Sequence, residues 1–100
     1  MSRHINIDRC LELLRDHLPY LEKRFHVGSL GVFGSFVRHE EHEGSDLDIL
    51  VTFNQVPSLL GFLALENYLS DVLGVKVDLV MEDALKPHIS KRILNEVVSI

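Results

Sequence analysis

Leu11, Leu14, Leu18 and Leu21 recur at three- and four-residue spacing from Ile7 onward, the period of a helix with one apolar face. Pro19 falls within that stripe. Proline lacks the N–H of a helical turn and disfavours helix in the residue before it, so the pattern predicts one helix ending near His17 and a short second helix opening at Pro19. Val27–Phe33 (VGSLGVF) reads as a strand, followed by Gly34-Ser35 and one possible helical turn over 36–38. A polar loop, HEEHEGS, covers 39–45. Residues 46–53 (DLDILVTF) and 75–81 (VKVDLVM) are rich in β-branched residues and read as a second and a third strand. Between them Ser58 suits a helix N-cap and Gly74 a C-terminal stop, with Leu59, Phe62, Leu63, Leu69 and Leu73 as the expected buried stripe. Ile89, Ile93 and Val97, after Pro87, predict a last helix. The order helix, strand, strand, helix, strand, helix describes an α/β or α+β domain on a small sheet, with strand order left open.

Three carboxylates sit where an apolar core should not hold them. Asp46 and Asp48 are two apart at the head of a strand, so both side chains leave one face while Leu47, Ile49 and Val51 take the other. Asp78 interrupts a second apolar strand, between Val77 and Leu79. Neighbouring strands lie about 4.8 Å apart, so pairing that sets Asp78 beside Asp48 would gather three like charges. Such a group persists if a cation neutralises it, and oxygen-only donors select Mg²⁺ or Mn²⁺. Singly, Asp46 could cap a turn and Asp78 could guard an edge strand against aggregation. Together, and next to Gly34-Ser35, they favour a metal site. Glycine permits close backbone approach, and N–H groups at a helix start attract phosphate. The Ser35 hydroxyl can donate to a phosphate oxygen, and Arg38 lies about one turn onward.

Composition narrows the function classes. The 100 residues are expected to form one domain over 1–100, and 46% hydrophobic with 25% charged residues is ordinary for a globular protein. A net charge of -5 disfavours binding nucleic acid through many phosphate contacts. One cysteine, Cys10, allows no internal disulfide, and a packed thiol in a reducing compartment is expected. No apolar run reaches the roughly 18 residues of a membrane span and the start is not a signal peptide, so a cytoplasmic location without membrane contact is expected. Other motifs fail on spacing. The histidines of His39-Glu40-Glu41-His42 are three apart rather than four, and a Ca²⁺ loop from Asp46 would have Val51 where glycine is required.

The combined spacing resembles a known family. Gly34-Ser35, ten residues over 36–45, then Asp46-Leu47-Asp48 is similar to the GS-x10-DxD signature of nucleotidyltransferases with a polymerase-β-like palm. The segments GSFVR (34–38), SDLDILV (45–51), VDLV (77–80) and LKPHISKRILNEV (85–97) resemble its minimal branch, the MNT antitoxins that pair with HEPN-domain ribonuclease toxins. The resemblance covers nearly the whole chain. It implies a small mixed sheet of three to four strands flanked by helices, and transfer of AMP from ATP. Two Mg²⁺ ions would be held by Asp46, Asp48 and Asp78, and Asp78 would help deprotonate the attacking hydroxyl. Gly34 and Ser35 would hold the β and γ phosphates, with Arg38 as a further cation. The implied acceptor is a tyrosine of the partner HEPN toxin, whose RNase activity the modification silences.

The helical domain with which larger nucleotidyltransferases clamp nucleotide or RNA has no counterpart in the sequence. The acceptor must then come from a partner, and a homo- or hetero-oligomer is expected. Retention of all three acids favours an active enzyme. The alternatives are a catalytically silent antitoxin that inhibits by direct binding, and a transferase acting on an RNA 3′ end or a small molecule such as an aminoglycoside.

Overall fold

A computed structural model describes residues 5–42 and 44–100. Helix α1 runs unbroken over Ile7–Phe25, with the Asn6 side chain accepting from the Arg9 N–H at its start and His26 closing it in the left-handed conformation. The expected break at Pro19 is absent. Pro19 leaves the Arg15 carbonyl without its helical donor, but both residues are exposed, so water can serve that carbonyl. Cys10, Leu11, Leu14 and Leu21 line the opposite, buried side, whose packing on the sheet and on the second helix outweighs the local cost of the proline.

Strands β1 (Val27–Phe33), β2 (Leu47–Phe53), β3 (Val77–Met81) and β4 (Val98–Ser99) form one mixed sheet in the order β3-β2-β1-β4. The pairs β1/β2 and β1/β4 are antiparallel, whereas β2/β3 is parallel. Parallel neighbours need a crossover, and α2 (Leu59–Leu73) supplies it. The Ser58 hydroxyl accepts from the Gly61 N–H and Gly74 ends α2 with φ +67°, the caps read from the sequence. Of the expected stripe of α2, Leu69 and Leu73 are buried and Phe62 packs half-buried on the core, but Leu59 and Leu63 are 73% and 42% exposed and Leu65 is buried in their place. Residues 63 and 65 lie about 200° apart around a helix and cannot share a face. The opening LLGFLAL is apolar nearly all round, so its period alone does not choose between the two faces.

After a 3-10 turn over Glu82–Ala84, α3 spans Pro87–Glu96 with proline in its first turn. Val97, expected on that helix, is instead its extended C-cap, and the chain continues into β4 against Gly31 and Val32. Gly31 is required there, because a Cβ would lie 2.5 Å from Val97 Cγ2. Cys10 is fully buried, and burial pushes its thiol up to about 11, leaving it unreactive at neutral pH. Among the described residues no helix is long and apolar enough to cross a membrane.

Candidate active site

β1 ends at Phe33, and the next residue, Gly34, turns the chain sharply out of the sheet with φ +83°. The N–H groups of Val37 and Arg38 both donate to the Gly34 carbonyl, at 3.1 and 3.2 Å, and the Glu40 N–H donates to the Ser35 carbonyl. The result is a hydrogen-bonded turn over 35–39 in place of the helical turn expected over 36–38. Phe36, 1% exposed, pins it to the core and leaves Arg38 at the surface beside Gly34. Only glycine fits at 34, since a Cβ would lie 2.0 Å from Asp48 Oδ2.

Asp48 enters from β2, paired in register with Phe33 of β1 on one side and with Asp78 of β3 on the other. It is half-buried, whereas Asp78 is exposed on the edge strand. The open edge is held by α2, because Ser70 Oγ accepts from the Val77 N–H at 3.0 Å and the Glu66 carboxylate accepts from the Leu79 N–H at 3.1 Å. Asp78 is thus fixed between two tethered residues. Burial raises the Asp48 carboxyl from 3.8 to about 6, helped by the adjacent Asp78 carboxylate and the Asp46 charge and opposed by Arg38.

The structure therefore brings Asp48 and Asp78 together, with Asp48 packed against Gly34. Asp46 stands one residue before β2 and is felt at Asp48 through its charge. Among the described residues no three His, Cys, Asp or Glu side chains form a ready metal cage, so the expected three-way convergence reduces to a pair with a third acid near it. That arrangement still suits a hard divalent cation. Mg²⁺ commonly takes one or two protein carboxylates and fills its shell with water and substrate phosphates, and the raised Asp48 value marks negative charge that a cation would relieve.

A cleft of about 340 Å³ opens beside this pair, lined by Phe33, Gly34, Arg38 and Asp48 from the sheet side and by Ile89, Arg92, Ile93 and Glu96 from α3. Asp46, Asp78 and Ser35 lie outside its lining. Glu96 dominates the wall. Its Oε2 accepts from the Gly34 N–H at 2.9 Å and its Oε1 accepts from Arg38 Nη1 at 2.6 Å. The Arg38 guanidinium, the Gly34 N–H and the nearby Arg92 hold the Glu96 carboxyl below its usual value. Arg38 Nε also meets Glu40 at 3.3 Å. Glu96 and Arg92 were not singled out from the sequence, although 89, 92, 93 and 96 share one helical face, and two charges inside an otherwise isoleucine stripe were the available signal.

Known proteins fit this architecture. The sequence pattern of the nucleotidyltransferase domain matches residues 14–100. The chain is 49% identical over 94 residues to the protein adenylyltransferase MntA of Thermococcus cleftensis, covering 94% of this chain and 95% of that protein. It superposes on the solved structure of a candidate minimal nucleotidyltransferase with a TM-score of 0.81 and 34% identity, covering 99% of this chain and 100% of the other. The fold is also shared with the complex of a tri-AMPylated Shewanella oneidensis HEPN toxin and its MNT antitoxin, at a TM-score of 0.59 and 21% identity over 92% of this chain and 66% of that one. On the family pattern and the extent of these matches, the chain belongs to the nucleotidyltransferase domain family.

Proposed function

We propose that this protein is a Mg²⁺-dependent protein adenylyltransferase that moves AMP from ATP to a tyrosine hydroxyl of a partner HEPN toxin, acting as its antitoxin. The observation that carries the proposal is the contact of Gly34 with Asp48, itself in register with Asp78. A turn suited to phosphate abuts a carboxylate pair suited to a divalent cation, the two halves of phosphoryl-transfer chemistry. The name of the Thermococcus cleftensis relative and the tri-AMPylated toxin in the Shewanella oneidensis complex support the same reaction.

Gly34, Ser35 and Arg38 hold the β and γ phosphates in this reading. Asp46, Asp48 and Asp78 would hold two Mg²⁺ ions, which when bound would neutralise the triphosphate and ease ionisation of the acceptor hydroxyl. The acceptor oxygen bonds to the α-phosphorus as the bond to the bridging β-phosphate oxygen breaks, and pyrophosphate leaves. Asp78 takes the hydroxyl proton. Its exposure on an edge strand leaves it open to an acceptor brought by another protein. Positioning and charge neutralisation supply most of the rate. The net charge of -5 argues against RNA as the acceptor, and the location is taken to be cytoplasmic. Val56, Leu59 and Leu60, each at least 73% exposed, give α2 an apolar approach that suits assembly with itself or a partner.

The deciding assay incubates the protein with its partner toxin, Mg²⁺ and α-labelled ATP. Label should appear on the toxin and disappear with Asp48→Asn. Toxin inhibition that survives Asp46→Asn combined with Asp48→Asn, without ATP, would replace this reading with inhibition by binding alone.

A further inference from the structure

Glu96 holds the same two donors that the proposed phosphate site needs. One carboxylate oxygen takes the Gly34 N–H at 2.9 Å and the other takes Arg38 Nη1 at 2.6 Å. An anion bridged between a turn N–H and a guanidinium is the arrangement in which phosphate oxygens bind. Gly34 has one N–H to give, and Asp48 already places negative charge against the same glycine. A triphosphate and an ionised Glu96 therefore compete for one set of donors.

We infer that Glu96 is an internal phosphate substitute which nucleotide must displace, so that it sets the affinity of this site for ATP. The inference rests on the assignment of Gly34 and Arg38 to the triphosphate. The backbone at Glu96 is anchored, because the next residue, Val97, packs against Gly31 and β4 pairs with Gly31 and Val32. Release is then a side-chain rotation at the last residue of α3. Arg92, one turn earlier on the same helix and lining the same cleft, is a ready partner for the displaced carboxylate. The exchange keeps Arg38 aligned while the site is empty, at the cost of weaker nucleotide binding.

The test measures the dissociation constant of Mg²⁺–ATP for the wild-type protein, Glu96→Gln, Glu40→Gln, Arg38→Gln and the Arg38→Gln/Glu96→Gln double variant, each checked for folding by circular dichroism. Glu96→Gln should bind roughly tenfold more tightly, a change expected when a charge-assisted contact no longer has to be broken. Glu40→Gln removes a charge from Arg38 but none from Gly34, and should change binding less than about twofold. In the Arg38→Gln background the gain from Glu96→Gln should shrink several-fold. Glu96→Ala provides the same reading if the glutamine variant does not fold. Unchanged or weaker binding in a folded Glu96 variant, while Arg38→Gln weakens binding several-fold, overturns the role of Glu96 and leaves the phosphate site standing. Unchanged binding in Arg38→Gln overturns the phosphate site itself, and the role of Glu96 with it.

Discussion

Replacing Asp48 with asparagine should make the ligand-free protein more stable at neutral pH while abolishing nucleotidyl transfer. Asp48 titrates near 6 in the folded chain against 3.8 as its ordinary value, chiefly through burial and then through Asp78 and Asp46. Between those values the native state holds its proton more firmly than the unfolded chain, so stability falls as pH rises from about 4 to about 6, and the full cost applies above that. A carboxyl raised this far would cost the fold roughly 3 kcal/mol when ionised, which solvent screening at a half-buried site reduces to about 1–2 kcal/mol. Asparagine preserves the shape, carries no charge, and can donate to Asp78. For a domain of this size the gain amounts to a melting temperature roughly 5–10 °C higher. Thermal unfolding of both proteins in chelator, at several pH values between about 3.5 and 7.5, reads the difference for Asp48 and its coupling to Asp78 and Asp46, with the remote carboxylates cancelling. The advantage should be complete above about pH 6.5 and nearly absent below about pH 4. A variant no more stable at neutral pH, or a gain that stays constant with pH, would refute the electrostatic origin.

Two further substitutions test the frame around the site. Gly34→Ala places a Cβ 2.0 Å from Asp48 Oδ2 at φ +83°, and should cost about 2 kcal/mol or more in denaturant unfolding while displacing the carboxylate. Pro19→Ala restores a helical donor on an exposed face of a continuous helix, and should stabilise the protein by about 1–2 kcal/mol by the same measurement.

Much of the chain's organisation was decided by short-range chemistry and is therefore readable along it. Ser58 and Gly74 bound α2 because a hydroxyl acceptor and a left-handed residue are what helix ends require locally. Val27–Phe33 forms the strand its residues favour, and Gly34 turns as only glycine can against a neighbouring side chain. Asp48 and Asp78 stood out because a carboxylate inside an apolar strand contradicts the local pattern, and their juxtaposition followed once the two strands paired in register.

Other features depend on partners far away in sequence. The continuity of α1 through Pro19 came from a buried face that outweighs one missing hydrogen bond, which no local propensity reports. The choice between Leu63 and Leu65 on α2 was made by the sheet beneath it, since an all-round apolar opening carries no preferred phase. β4, only two residues long, exists because β1 offers a free edge there, and Gly31 leaves room for Val97 to approach it. That same pairing carries Glu96 to Gly34 and Arg38 across 62 and 58 residues of chain. The acids and the turn were written in local residue order. The identity of the anion that fills the turn was settled only when the last helix closed over the end of the first strand, because a carboxylate selects its donors by distance in space and not by position along the chain.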